Sequence, residues 1–96
     1  MLTEKPKIIL VACGRAIATS VFVAQKIEGI LAERGLDAVT IPCTVAEVPA
    51  RASEAALIVS TTRIPEELDT PVIVTLAFLT GMGKDRVVEQ IVSYLS

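Results

Sequence analysis

Histidine is missing from the chain, aromatics amount to only 3% of its 96 residues, and cysteine occurs twice. Each shortage closes off a class of function. Without histidine the commonest general base and metal ligand are absent, so neither Cys-His nor Ser-His catalysis can be assembled within the chain. With few aromatics and a net charge of -2, from 9 Lys+Arg against 11 Asp+Glu, there is neither a phosphate-attracting field nor a stacking platform for bases. No nucleic-acid partner is expected. Cys13 and Cys43 cannot form a structural zinc site by themselves, and a disulfide-stapled secreted domain usually carries more cysteines. The expectation is a reducing, cytoplasmic compartment with no metal and no cofactor.

Long apolar runs are also lacking. The longest candidate, near Val72, is broken by Thr75 and Gly81, short of the roughly 20 residues that span a bilayer. Leu10-Val11-Ala12-Cys13 after Lys7 resembles a lipoprotein cleavage box. Only Ile8 to Ala12 separates Lys7 from the cysteine, however, and a signal core needs roughly 7 to 15 apolar residues. What the chain does have is 52% hydrophobic and 21% charged residues, enough apolar surface to offset the entropy of folding. Its length suits one domain over residues 1–96.

The pattern predicts an α/β fold. Lys7 to Ala12 is a continuous, β-branched-rich run, as in a strand covered on both faces. Cys13 to Ala18 reads as a loop. Thr19 and Ser20 then offer capping hydroxyls to a helix that carries Val23, Ile27, Ile30 and Leu31 on one face and ends about Arg34, before Gly35. Ala38 to Ile41 is a second strand, placed at the sheet edge by Pro42. Thr44-Val45-Ala46-Glu47 reads as a capping box, and Pro49 keeps its helix short or kinked. Ala56 to Val59 and Val72 to Val74 supply two more strands. The loop Leu76 to Gly83 leads to a last helix with Val87, Val88, Ile91 and Leu95 buried. Right-handed crossovers give a four-stranded parallel sheet of order 2-1-3-4, doubly wound with helices on both faces. Its ligand crevice lies at the carboxyl ends of strands one and three, where Cys13 sits.

Cys13-Gly14-Arg15-Ala16-Ile17-Ala18-Thr19-Ser20 is the sharpest constellation. A thiol at a strand end, followed by small residues and hydroxyls at a helix start, makes an anion cradle. Its backbone N–H groups and the positive helix end can hold a tetrahedral oxyanion, and the same field favours a nucleophilic thiolate. There is no Gly-Lys-Ser/Thr for a Walker loop and no G-x-G-x-x-G for a dinucleotide. A cysteine phosphatase remains an alternative, although its loop carries an arginine six residues after the cysteine, where Thr19 stands here. With no histidine to activate water, a phosphocysteine formed here is expected to be handed on rather than hydrolysed. A non-enzymatic anion-binding or regulatory module of the same fold is the other alternative.

The run Ile8-Ile9-Leu10-Val11-Ala12-Cys13-Gly14 with Ala18-Thr19-Ser20 resembles the galactitol-type enzyme IIB component of the bacterial phosphoenolpyruvate-dependent sugar phosphotransferase system. Ile41-Pro42-Cys43, Ser60-Thr61-Thr62 and Phe78-Leu79-Thr80-Gly81-Met82-Gly83 agree in place and character. The resemblance implies that Cys13 takes a phosphoryl group from a phosphohistidine on a IIA protein. It passes that group to a sugar or polyol held by a membrane IIC protein, so contact with the membrane is through IIC only. Arg15 departs from the small residue the family carries there.

Other residues have plainer readings beside functional ones. Cys43 could approach Cys13 but fits a packed core thiol. Arg15 is a phosphate or partner contact or a solvated charge. Thr61 and Arg63 line the crevice or simply form a turn with Pro65. Phe78 and Leu79 dock a partner or plug the core beneath their loop.

Overall fold

Alternation along Lys7–Cys13, the first strand β1, sends Ile9 and Val11 to one side and Leu10 and Ala12 to the other, and all four are fully buried. A strand buried on both faces requires layers above and below it. The computed structural model, which describes residues 7–14, 17–36, 38–64 and 68–95, shows both layers. The strands β2 (Ala38–Thr44), β3 (Leu57–Ser60) and β4 (Val72–Val74) complete a sheet of order β2-β1-β3-β4, with every neighbouring pair parallel.

One face packs Ile9, Val11, Leu57, Val59 and Ile73 against helices α1 (Ile17–Glu33), α3 (Ala77–Thr80) and α4 (Lys84–Leu95). The other packs Leu10, Ala12, Cys43 and Ile58 beneath a short helical stretch through Val48 and Ala52. That stretch is the single turn α2 (Val48–Arg51) between 3-10 turns Val45–Glu47 and Ala52–Glu54. Pro49 stands in its first turn, where a missing N–H is harmless. The capping box at its start is present: one Glu47 carboxylate oxygen accepts from the Thr44 backbone N–H at 2.9 Å and from the Thr44 hydroxyl at 3.1 Å.

Several boundaries differ from the sequence reading. Helix α1 begins at Ile17 rather than after Thr19 and Ser20, which lie in its first turn. With β1 carried to Cys13 by ladder pairing with Thr44, the chain turns into the helix sooner. Strand β2 continues through Pro42 to Thr44. The Thr40 N–H points away from β1 and donates to the Glu28 carboxylate at 3.0 Å. Two residues on, the nitrogen of Pro42 points to the same outer side, where β1 needs no donor. Strand β3 lies one residue later than expected. The loop after β4 contains the turn α3, closed by Gly81 at φ 81°. At the end of α1, Gly35 has φ 74°, Leu36 N–H reaches Leu31 O at 2.9 Å and Gly35 N–H reaches Ala32 O at 3.1 Å, the Schellman arrangement. Arg34 pairs with Glu89 of α4 at 2.9 Å.

Glu28 covers the outer edge of β2, accepting from the Thr40 hydroxyl at 2.5 Å as well as from its N–H. Those two hydrogen bonds hold its carboxyl below the ordinary value of 4.5, and the bonds from Thr44 do the same for Glu47. A carboxylate with a lowered folded value contributes stability above 4.5 that is lost as pH falls through the folded value. The urea midpoint is therefore expected to drop between pH 7 and pH 3 by more in the wild type than in Glu28→Gln. Equal drops would show that the edge contact contributes nothing.

Candidate functional site

All four strands run parallel, so their carboxyl ends open on one side, and the sheet order reverses direction between β1 and β3. Cys13 is the last residue of β1 at that point. Its side chain is buried, 2% exposed. The thiol lies 4.0 Å from the Cys43 carbonyl oxygen, a long, weak S–H contact.

Gly14 follows as an exposed bend. Arg15 and Ala16 lie outside the described residues, as does the Ile17 side chain. The first turn of α1 carries Ala18, Thr19 and Ser20, with Ala18 exposed, Thr19 half-buried and Ser20 fully buried. Helix α1 opens at Ile17, so its positive end lies nearer to Cys13 in sequence than a helix capped by Thr19 and Ser20 would place it.

The second wall comes from the end of β3. Ser60 pairs in register with Ala12, and the next residue, Thr61, donates its N–H to the Ala12 carbonyl at 3.1 Å. Thr62 then stands beside the cysteine loop: a β-carbon placed on Gly14 would lie 4.0 Å from Thr62 Cγ2. From β4, Thr75 donates its N–H to the Ser60 carbonyl at 2.9 Å. Thr61 thus adjoins the strand that ends at the cysteine, and Thr75 adjoins the end of β3, one strand further along the sheet. Arg63 is exposed in the same turn, and Pro65 lies outside the described residues. Phe78 is buried in the core as a plug, whereas Leu79 is exposed.

Cys43 is 1% exposed and sits among Leu10, Ala12 and Val48. It pairs with Ala12, and Cys13 pairs with Thr44. Adjacent rungs alternate faces, so the two thiols point to opposite sides of the sheet and are not in a disulfide. Burial first, then the Glu47 carboxylate and Cys13, pushes the Cys43 thiol up; Arg51 opposes this only in part. Cys43 is a protonated core thiol at neutral pH.

Other features do not compete for the chemistry. An open groove of about 520 Å³ runs between β4 and α4, lined among the described residues by Val72, Ile73, Val74, Gln90, Ser93 and Tyr94, none of them a thiol, carboxylate or cation. Among the described residues no helix is long and apolar enough to cross a membrane.

Sequence comparisons converge on one family. A family model described as the lactose/cellobiose-specific IIB subunit of the phosphotransferase system matches residues 8–90. SgcB of Escherichia coli strain K12, provisionally named a phosphotransferase enzyme IIB component, is 36% identical over 90 residues, covering 94% of this chain and 98% of its own length. The galactitol-specific EIIB component of Escherichia coli O157:H7 is 30% identical over 88 residues, covering 91% of this chain and 94% of its own. That of strain K12 is 28% identical with the same coverage.

Proposed function

The chain belongs to the IIB component family of the sugar phosphotransferase system, and from that premise we propose that Cys13 is the residue carrying the phosphoryl group. Membership implies phosphoryl transfer in sugar uptake, in which IIB components work with IIA and IIC partners. The observation that carries the finer reading is the position of Cys13, at the end of β1 where the strand order reverses and with only Gly14, Arg15 and Ala16 between it and the start of α1. Cys43, the other thiol, is enclosed in the opposite core layer and held protonated.

The chemistry balances with these residues. The Cys13 sulfur attacks the phosphorus of a phosphohistidine on the IIA protein, forming an S–P bond as the P–N bond breaks and the imidazole leaves. A hydroxyl oxygen of the sugar, held by the membrane IIC protein, then attacks the same phosphorus. The P–S bond breaks, the thiolate returns, and the hydroxyl proton is released. The histidine is supplied in trans because this chain has none. First-turn N–H groups of α1 face the charge that develops on the phosphoryl oxygens during each transfer. Gly14, Arg15, Ala16, Ile17, Ala18, Thr19 and Ser20 make up the proposed phosphate cradle. Exposed Leu76, Leu79 and Met82, in the segment that follows β4 on the crevice side, offer apolar surface for the docking partners. The galactitol-specific relatives support galactitol or a related carbohydrate as the final acceptor, and the protein acts in the cytoplasm, reaching the membrane through IIC.

Carrier and phosphatase chemistry part at hydrolysis. The position that holds the phosphoryl-clamping arginine in cysteine phosphatases is Thr19, a half-buried first-turn residue. Losing one such stabilising contact costs about two to three orders of magnitude in rate. With p-nitrophenyl phosphate the protein is therefore expected to show turnover at least that far below a cysteine phosphatase. Rapid, Cys13-dependent release of p-nitrophenol would establish a phosphatase instead.

A further inference from the structure

The end of β3 carries a polar residue in an otherwise apolar strand. Leu57, Ile58, Val59 and Ser60 are all buried, Ser60 completely so, and a buried hydroxyl is costly unless its hydrogen bonds are made. They are made within one turn: the Ser60 hydroxyl donates to the Thr62 carbonyl, and the Thr62 N–H donates back to Ser60 Oγ at 3.1 Å. Both backbone polar groups of Thr62 are thereby fixed by a single side chain. That turn is also tied to the cysteine strand, since Thr61 donates to the carbonyl of Ala12, the residue before Cys13. It places the Thr62 methyl beside Gly14, the residue after Cys13. One clamped turn thus holds the residue before the nucleophile by a hydrogen bond and sets a methyl near the residue after it.

Building on the phosphocarrier reading, we infer that Ser60 is a positioning residue for phosphoryl transfer: through the Thr61–Thr62 turn it sets the geometry of the Ala12–Gly14 segment that presents the Cys13 sulfur. Ser60 does not touch the phosphoryl group. It lies in register with Ala12, whose side chain joins the core layer of Leu10 and Ile58. Its hydroxyl acts on Cys13 only through the turn, by the hydrogen bond to the Ala12 carbonyl and the nearness of the Thr62 methyl to Gly14. Attack on phosphorus demands alignment of the sulfur with the leaving nitrogen, and small misplacements of a reacting atom are expensive in rate without weakening partner affinity. A hydroxyl that merely satisfied itself in the core would leave transfer untouched.

The test measures steady-state phosphorylation by the phosphorylated IIA component of the Escherichia coli galactitol system, at a temperature where a thermal melt shows each variant folded. Ser60→Ala is expected to lower kcat by about tenfold while KM for the donor stays within about twofold of wild type. Thr62→Gly, at an exposed position where folding is not at stake, removes the methyl and loosens the same turn, and is expected to lower kcat in the same direction. Ile58→Val loosens the core on the same strand without touching the turn and should leave kcat unchanged. Ser60→Ala at wild-type kcat, or Ile58→Val slowed as much as Ser60→Ala, would overturn the assignment while leaving the carrier reading intact. If Ser60→Ala does not fold, Thr62→Gly at wild-type kcat overturns it. A wild-type chain that takes no label ends the carrier reading, and this assignment with it.

Discussion

Cys13→Ser is expected to accept no measurable phosphoryl group from a phosphorylated IIA donor, a loss of at least about a thousandfold, while the protein stays folded. The size of the effect follows from the nucleophile. A serine hydroxyl is close in size to a thiol but is far less nucleophilic at neutral pH, and the chain has no histidine to activate it. Folding is expected to survive because the hydroxyl replaces a thiol of similar size at the end of a strand whose backbone pairing is unchanged. The net stability change should stay within about 1.5 kcal/mol, the scale of one hydrogen bond. Cys43→Ala is the companion variant. It removes a buried, protonated thiol on the opposite face and should reduce stability while leaving stoichiometric labelling of Cys13. Loss of labelling in a folded Cys43→Ala, with retention in Cys13→Ser, would reverse the roles of the two cysteines.

The second large effect concerns the sheet. Leu57 and Ile58 are neighbours on β3, both fully buried, and they face different core layers. In a sheet covered on one side only, one of the pair would be a surface position, where truncation costs within about 0.5 kcal/mol. Here Leu57→Ala and Ile58→Ala are each expected to cost about 2–5 kcal/mol, since both remove methyl groups from close-packed surroundings and leave a cavity. Against a typical total of about 5–15 kcal/mol, either is a large fraction of the stability. Urea unfolding of the two variants checks this. A near-silent change at either position would contradict the two-layer arrangement.

Residues with a single strong local preference made the fold readable. The Thr44–Glu47 capping box, the glycine at position 35 and the helical stripe Val88, Ile91 and Leu95 each mark one element, and the apolar run before Cys13, too short for a signal core, marks the central strand of a parallel sheet of order 2-1-3-4. Boundaries set by tertiary contact were not readable. Pro42 signals a strand end in isolation, yet β2 runs past it because its nitrogen faces the outer edge. Thr19 and Ser20 look like helix caps, but helix α1 has already begun at Ile17. The turn Ala77–Thr80 is too short for any periodicity to register.

At the site, the sequence singles out Cys13 by its place before a small-residue loop, and Thr61 as a crevice residue. The role of Ser60 had no comparable signal. A serine at a strand end reads as the start of a turn, and it takes the reciprocal bonds with Thr62 and the Thr61 hydrogen bond to the Ala12 carbonyl to connect it to the cysteine. Separation of the two thiols onto opposite faces likewise needs the register, Ala12 with Cys43 and Cys13 with Thr44, which no local pattern encodes.

Whether Cys13 carries the phosphoryl group is read directly by mapping the modified residue. The wild-type protein is incubated with the phosphorylated IIA component of the Escherichia coli galactitol system, quenched under conditions that preserve a thiophosphate ester, and digested for mass spectrometry. One added phosphoryl group per chain is expected, confined to the peptide containing Cys13 and discharged when membranes bearing the IIC component and galactitol are supplied. A phosphoryl group on Cys43, on a serine or threonine, or on no residue of the chain would contradict the assignment to Cys13.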